Sequence, residues 1–172
     1  IDIKKRFDFV KNHIFSPLRK ACPSAQIDLI IGNHEWRILT ILANKTPAMK
    51  VLLADVMNIT LADIFGLKEF EINLVSKLDL SAYMQRDVKD ELKENFKVYY
   101  NCFVAAHIRD YGFGMSGTSG HTHRPELKTD YNLAMGLTSW VTTGCMCKTG
   151  AEYVEGPNKW TNGFNIAYVD TL

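Results

Sequence analysis

At 172 residues, with 47% apolar and 23% charged residues, the chain has the composition of one ordinary globular domain, 1–172, long enough to bury about two thirds of its unfolded surface. A net charge of +1 gives no field for steering nucleic acid or anionic lipid, so any polyanion contact must be local; no apolar run reaches the length of a bilayer span, which argues against a membrane partner. The N-terminus, Ile1 to Arg6, has no secretory pattern, and Cys22, Cys102, Cys145 and Cys147 do not space like a disulfide framework; a cytoplasmic protein with reduced thiols is expected.

Residues 5–22 predict an amphipathic helix, with Phe7, Val10, Ile14 and Leu18 on one face and a break near Phe15 and Ser16 ahead of Pro17. His13 reads as a solvated residue of that helix. Ile27 to Ile31 is a short apolar run stopping at Gly32, as a buried strand ending in a loop would be. The loop is Gly32-Asn33-His34-Glu35, and a helix with Ile38, Leu39, Ile41 and Leu42 on its apolar face is expected to follow. Residues 47–66 predict two short helices, with Pro47 opening the first and Gly66 closing the second. Residues 69–74 alternate as a half-buried strand, and the mixed charges of 86–97 suit a solvated helix face. Val98 to Ala106 predicts one or two strands ending at His107, and a glycine- and serine-rich loop, 112–119, then leads to Gly120-His121-Thr122-His123-Arg124-Pro125. Further strands are expected over 140–146 and 163–170, joined by a turn-rich segment containing Tyr153, Pro157 and Trp160.

The chemistry concentrates in the histidines. In an extended backbone the side chains of His121 and His123 would point the same way and offer two nitrogen donors to one ion. Such a pair also occurs as a hydrogen-bonded surface loop. His34, His107, His121 and His123 all lie beside strand-like runs, and parallel strands of one sheet end on one rim, where α/β proteins bind ligands. Cys145 and Cys147 form a C-x-C, read most simply as alternate residues of a strand. A mononuclear zinc site joining them to the His-x-His pair ranks lower, because structural zinc sites favour C-x₂₋₄-C spacing.

The order strand–GNHE–helix, a strand ending in histidine, and then SGHTHRP resembles the calcineurin-like metallophosphoesterase superfamily, from Ile27 to Asp170. The resemblance implies an α/β fold, part of a four-layer α/β/β/α sandwich, and hydrolysis of a phosphomonoester or phosphodiester substrate. It implies Asn33, His107 and His121 as ligands of one divalent ion and His123 as a ligand of a second, with Mn, Fe or Zn as the expected metals. His34 would protonate or stabilise the leaving oxygen. A pair of ions about 3.5–4 Å apart would activate water and clamp the phosphoryl oxygens. Glu35 and Arg124 are family-typical in type, but a structural role explains each at least as well, Glu35 at the helix N-terminus and Arg124 as a surface charge. Thirteen residues separate His107 from His121, short for the loop and helix the family often has there, so a second reading leaves His107 merely nearby.

The family's D-x-H and G-D, which supply the carboxylate ligands, do not occur ahead of Gly32. Because the chain also lacks an initiator methionine, the sequence is expected to be the C-terminal part of a longer domain lacking its first strands. Without the bridging carboxylate two close dications would repel, so this chain is expected to bind one metal at most, weakly, with little or no phosphoesterase activity. The alternative is an inactive binding or structural module that keeps the fold. A sheet cut short exposes an edge and an apolar face, which favour self-association into a homo-oligomer.

Overall fold

The computed structural model describes residues 3–37, 48, 52, 56–79, 95–108, 114–147, 149 and 159–170. Helices and strands are mixed, as an α/β protein requires. The expected apolar helix face at Ile38, Leu39, Ile41 and Leu42, the charged residues 86–94, and Tyr153 and Pro157 lie outside the described residues. So does nearly all of the first of the two helices expected over 47–66. The backbone falls into two compact units, Ile1–Val88 and Lys89–Leu172.

In the first unit the N-terminal helix is not uniform. Helix α1 (Ile3–Val10) passes through a π turn, Lys11–Phe15, into α2 (Ser16–Ala21). Pro17 is the cause: its ring has no N–H and would meet the carbonyl four residues back, so the wider turn replaces a break. Phe15 is buried and packs near Phe70 with ring centres 5.9 Å apart, while Phe7 meets Phe65 edge-on at 5.6 Å. The Arg19 guanidinium fastens the end of α2. It donates to the carbonyls of Cys22, Pro23 and Ala25, and to those of Phe70 and Glu71 more than fifty residues away.

Strand β1 (Ile27–Ile30) pairs in parallel with β2 (Ile72–Val75). The Asn73 amide donates to Asp28 across the register at 3.0 Å, and the Ile31 N–H extends the ladder to the Val75 carbonyl at 3.1 Å. Helix α3 (Leu61–Phe65) starts in a full capping box between Thr60 and Asp63 and stops at Gly66 in the left-handed conformation. The strand expected from residue 69 begins only at Ile72, because Leu67–Phe70 forms a 3-10 turn that buries Leu67 completely. Ile31, Leu61, Phe65, Leu67 and Ile72 make up the core of this unit with Phe15. Burying each such side chain stabilises by about 1.5–3 kcal/mol.

The second unit is a five-stranded sheet in the order β3-β4-β5-β7-β6. Strands β3 (Phe96–Tyr99) and β4 (Phe103–Ala106) form an antiparallel hairpin turning at Tyr100 and Asn101, both at positive φ. Lys97, expected at the end of a charged helix face, is therefore a strand residue. Strand β5 (Ser116–Ser119) runs parallel to both β4 and β7 (Gly136–Thr142), and β6 (Glu126–Asn132) is antiparallel to β7. Val104, Ala106 and Trp140 are the buried apolar centre, with Met115 against them.

Three sequence expectations change here. The end of the expected loop 112–119 is a strand, β5, whose small residues let it lie beneath Trp140. Strand β7 takes in the start of the strand expected over 140–146, Trp140 to Thr142, while its hairpin partner β6 has no counterpart among the expected strands. The strand expected over 163–170 forms no ladder: β5 and β7 already have neighbours on both sides, and Asn165 instead donates its side-chain amide to Thr118 Oγ1 (2.9 Å) and the Val141 carbonyl (3.4 Å). Among the described residues no helix is long and apolar enough to cross a membrane.

Candidate metal centre

Parallel pairing places chemistry at strand ends. In the first unit β1 runs out at Ile31 and Gly32, both buried, and residues 33–37 are helical. Gly32 is the N-cap: its carbonyl accepts from the Trp36 N–H (3.2 Å), and its N–H donates to Glu35 Oε2 (3.0 Å). Glu35 thus acts as the return half of a capping box, the structural role expected of it. Asn33, half-buried, and His34, exposed, open the first turn of this helix at the carboxyl end of β1.

In the second unit His107 directly follows β4, and Gly120-His121 directly follows β5. The His107 N–H donates to the carbonyl of Asn95, a fully buried residue, and the Thr143 N–H after β7 donates to the Ser119 carbonyl (2.8 Å). Three parallel strands therefore deliver residues 107, 120–121 and 143 to one edge of the sheet. The His107 and His121 rings meet edge-on with centres 4.8 Å apart. The short interval between them is spanned with both histidines on one rim.

The backbone of the His-x-His motif is not extended, and that expectation is corrected. His121 has φ +68° and His123 φ +58°. The Thr122 N–H bonds back to the Gly120 carbonyl at 2.9 Å, making His121 the centre of a γ-turn at positive φ, the rarer and strained form. The Thr122 hydroxyl then bonds the Arg124 N–H (3.3 Å) and the Arg124 carbonyl (3.4 Å), holding the second reversal. Left-handed backbone at a non-glycine residue costs about 1 kcal/mol or more, and such costs collect at functional sites. With the chain reversing at each histidine, the two imidazoles have different neighbours. His121 meets His107, while the half-buried His123 packs edge-on against Trp160 with ring centres 4.2 Å apart.

His123 has further neighbours. Its ligand nitrogen and the sulfurs of Cys145 and Cys147 all lie within 4.8 Å of one another, and among the described residues this is the grouping of three such side chains brought this close. The cysteines are not alternate strand residues, since β7 stops at Thr142 and Cys145 makes only a single parallel bridge to Asn162. Cys145 is buried and Cys147 exposed; burial and the hydrogen bond with Cys145 raise the Cys147 thiol above its ordinary pKa. The sequence ranked this cluster low on C-x-C spacing alone, and the signal that could have raised it is Gly144. An added Cβ there would strike the Thr161 carbonyl oxygen and lie 2.7 Å from the Gly163 nitrogen, so 161–163 can approach the cysteine turn only at glycine.

No family model, curated protein or solved structure matches this chain.

Proposed function

We propose that this chain carries the histidine-bearing part of a metal-dependent phosphoesterase centre, built on part of a four-layer α/β/β/α sandwich. The observation that carries the reading is the convergence of His107 and His121 from the ends of two parallel strands. Metal–nitrogen bonds of about 2.0–2.1 Å put two imidazoles sharing one ion roughly 4.5–5.5 Å apart between ring centres, and the observed 4.8 Å suits that. A hard or borderline divalent ion, Mn, Fe or Zn, would supply charge for the phosphoryl oxygens and an acidified water.

The chain's own residues have separate tasks. His107 and His121 hold their imidazoles by backbone placement at the sheet rim. By the family resemblance Asn33 would be a neutral amide ligand and His34 a proton donor; in this chain both belong to the first unit, at the carboxyl end of β1. In the family, His123 serves a second ion together with carboxylates; D-x-H and G-D are absent from residues 1–31, so one ion is the expected capacity of this chain. A second reading, a binding module that keeps the fold without chemistry, is favoured by one observation. Among the described residues no Asp or Glu joins His107 and His121 in a close three-ligand group.

Hydrolysis of bis-(p-nitrophenyl) phosphate with and without Mn²⁺ tests this. Slow, Mn²⁺-dependent turnover that His121→Ala abolishes is expected. Turnover that ignores Mn²⁺ or survives His121→Ala refutes the reading, and robust turnover refutes the one-ion limit. Mn²⁺ binding without any turnover favours the binding module.

A further inference from the structure

We propose that His123, Cys145 and Cys147 form a zinc site of the Cys₂His type, separate from the phosphoesterase centre. The inference does not rest on the phosphoesterase reading, which would give His123 carboxylate partners; here its partners are thiols.

The first ground is donor geometry. The three ligand atoms lie within 4.8 Å of one another. Around tetrahedral zinc, bonds of about 2.3 Å to sulfur and 2.0–2.1 Å to nitrogen give ligand separations of about 3.5–3.8 Å. Closing the widest gap takes about 1 Å, within reach of side-chain rotation. Exposed Cys147 leaves the fourth position accessible to water or to a small anionic ligand.

The second ground is the frame around the donors. The Thr161 N–H donates to the His123 carbonyl (3.0 Å), the Cys145 N–H to the Thr161 carbonyl (2.9 Å), and the Gly163 N–H to the Cys145 carbonyl (3.2 Å). Residues 161–163 thus bridge the histidine loop to the cysteine turn through main-chain bonds. The Asn162 amide closes the turn by donating to the carbonyls of Cys145 (3.0 Å) and Cys147 (2.7 Å). Trp160 fixes the His123 ring edge-on. Outer contacts of this kind orient ligands in metal sites.

The third ground is charge and softness. Two thiolates balance the charge of Zn²⁺, and sulfur donors select zinc over magnesium, calcium or manganese. Binding forms two Zn–S bonds and one Zn–N bond, breaks two S–H bonds, and releases both protons to solvent. The bound ion would staple three segments, 120–125, 143–147 and 159–163, that carry little regular structure of their own.

Co²⁺ added to the reduced, metal-free chain is the probe, because thiolate ligation gives a sulfur-to-cobalt charge-transfer band absent from a histidine-only site. The band is expected in the parent chain and in the His107→Ala and His121→Ala variants, weakened in Cys147→Ser and lost in Cys145→Ser/Cys147→Ser. Zinc affinity should fall in Cys147→Ser by more than the 10–100-fold that loss of an outer partner costs. Zinc should also slow iodoacetamide alkylation of Cys147 while leaving exposed Cys22 unaffected. If buried Cys145→Ser fails to fold, the exposed Cys147→Ser substitution still decides the matter. Absence of the charge-transfer band in the parent chain, or unchanged metal affinity in Cys147→Ser, overturns the proposal.

Discussion

Gly117 lies within β5, the strand that leads into His121, and its replacement by alanine is predicted to damage both the sheet and the site. A Cβ at this position would lie 2.5 Å from Trp140 Cζ3, 2.9 Å from Cε3 and 2.5 Å from the Val104 carbonyl oxygen. Carbon contacts are favourable near 3.5–4.0 Å, so the indole must shift by about 1 Å or the strands must part. Trp140 is 4% exposed and Val104 fully buried, which leaves the ring little room. A shift also breaks the 3.0 Å hydrogen bond from Trp140 Nε1–H to Ser119 Oγ. Overpacking of this kind costs about 1–3 kcal/mol and the lost hydrogen bond about 1 kcal/mol, for a total of roughly 2–4 kcal/mol. In a chain of this length that lowers Tm by roughly 4–16 °C. Thermal melts followed by near-ultraviolet circular dichroism check it. A Gly117→Ala variant with unchanged Tm and an unchanged aromatic spectrum would refute the packing argument for β5.

Arg19→Lys should destabilise the first unit nearly as much as Arg19→Ala, by about 2 kcal/mol in urea melts, because one ammonium cannot reach five carbonyls spread around a planar fork; a neutral Arg19→Lys would contradict this. Thr60→Ala removes the N-cap of α3 and should cost about 1 kcal/mol, read from the same melts. The Lys68 ammonium and the Thr60 hydroxyl and N–H hold the Asp63 carboxyl well below its ordinary value near 3.8. A depressed carboxylate stabilises above the unfolded pKa and loses that contribution as pH falls through the folded value. Asp63→Asn should therefore be less stable than the parent at pH 7, with the difference shrinking below about pH 4; a gap that grows on acidification would contradict the assignment.

What the sequence revealed was local and periodic. The run Ile27–Ile31, the stop at Gly32 and the helical turn carrying His34 all follow from apolar pattern and capping chemistry, with Glu35 three residues beyond its N-cap. Pro17 marked a disturbance in the first helix but did not reveal that the chain would widen into a π turn. Residues 116–119 looked like loop because Ser-Gly-Thr-Ser has low strand preference; burial beneath Trp140 overrides that preference. Segment 163–170 showed the reverse, with strand-like alternation but no open edge beside β5 or β7 to join. The His-x-His motif misled through its backbone, since the i, i+2 rule holds only for extended chain and both histidines have positive φ. The proximity of His123 to Cys145 and Cys147 depends on main-chain bonds to 161–163, contacts of long sequence separation that no spacing rule contains.

The proposal that His107 and His121 share one ion is tested most directly by titrating the chain with Mn²⁺ and following free Mn²⁺ by electron paramagnetic resonance. One weakly bound ion per chain is predicted, lost in His107→Ala and in His121→Ala and retained in Cys145→Ser/Cys147→Ser. Failure to bind Mn²⁺, or binding that survives loss of His121, would contradict it.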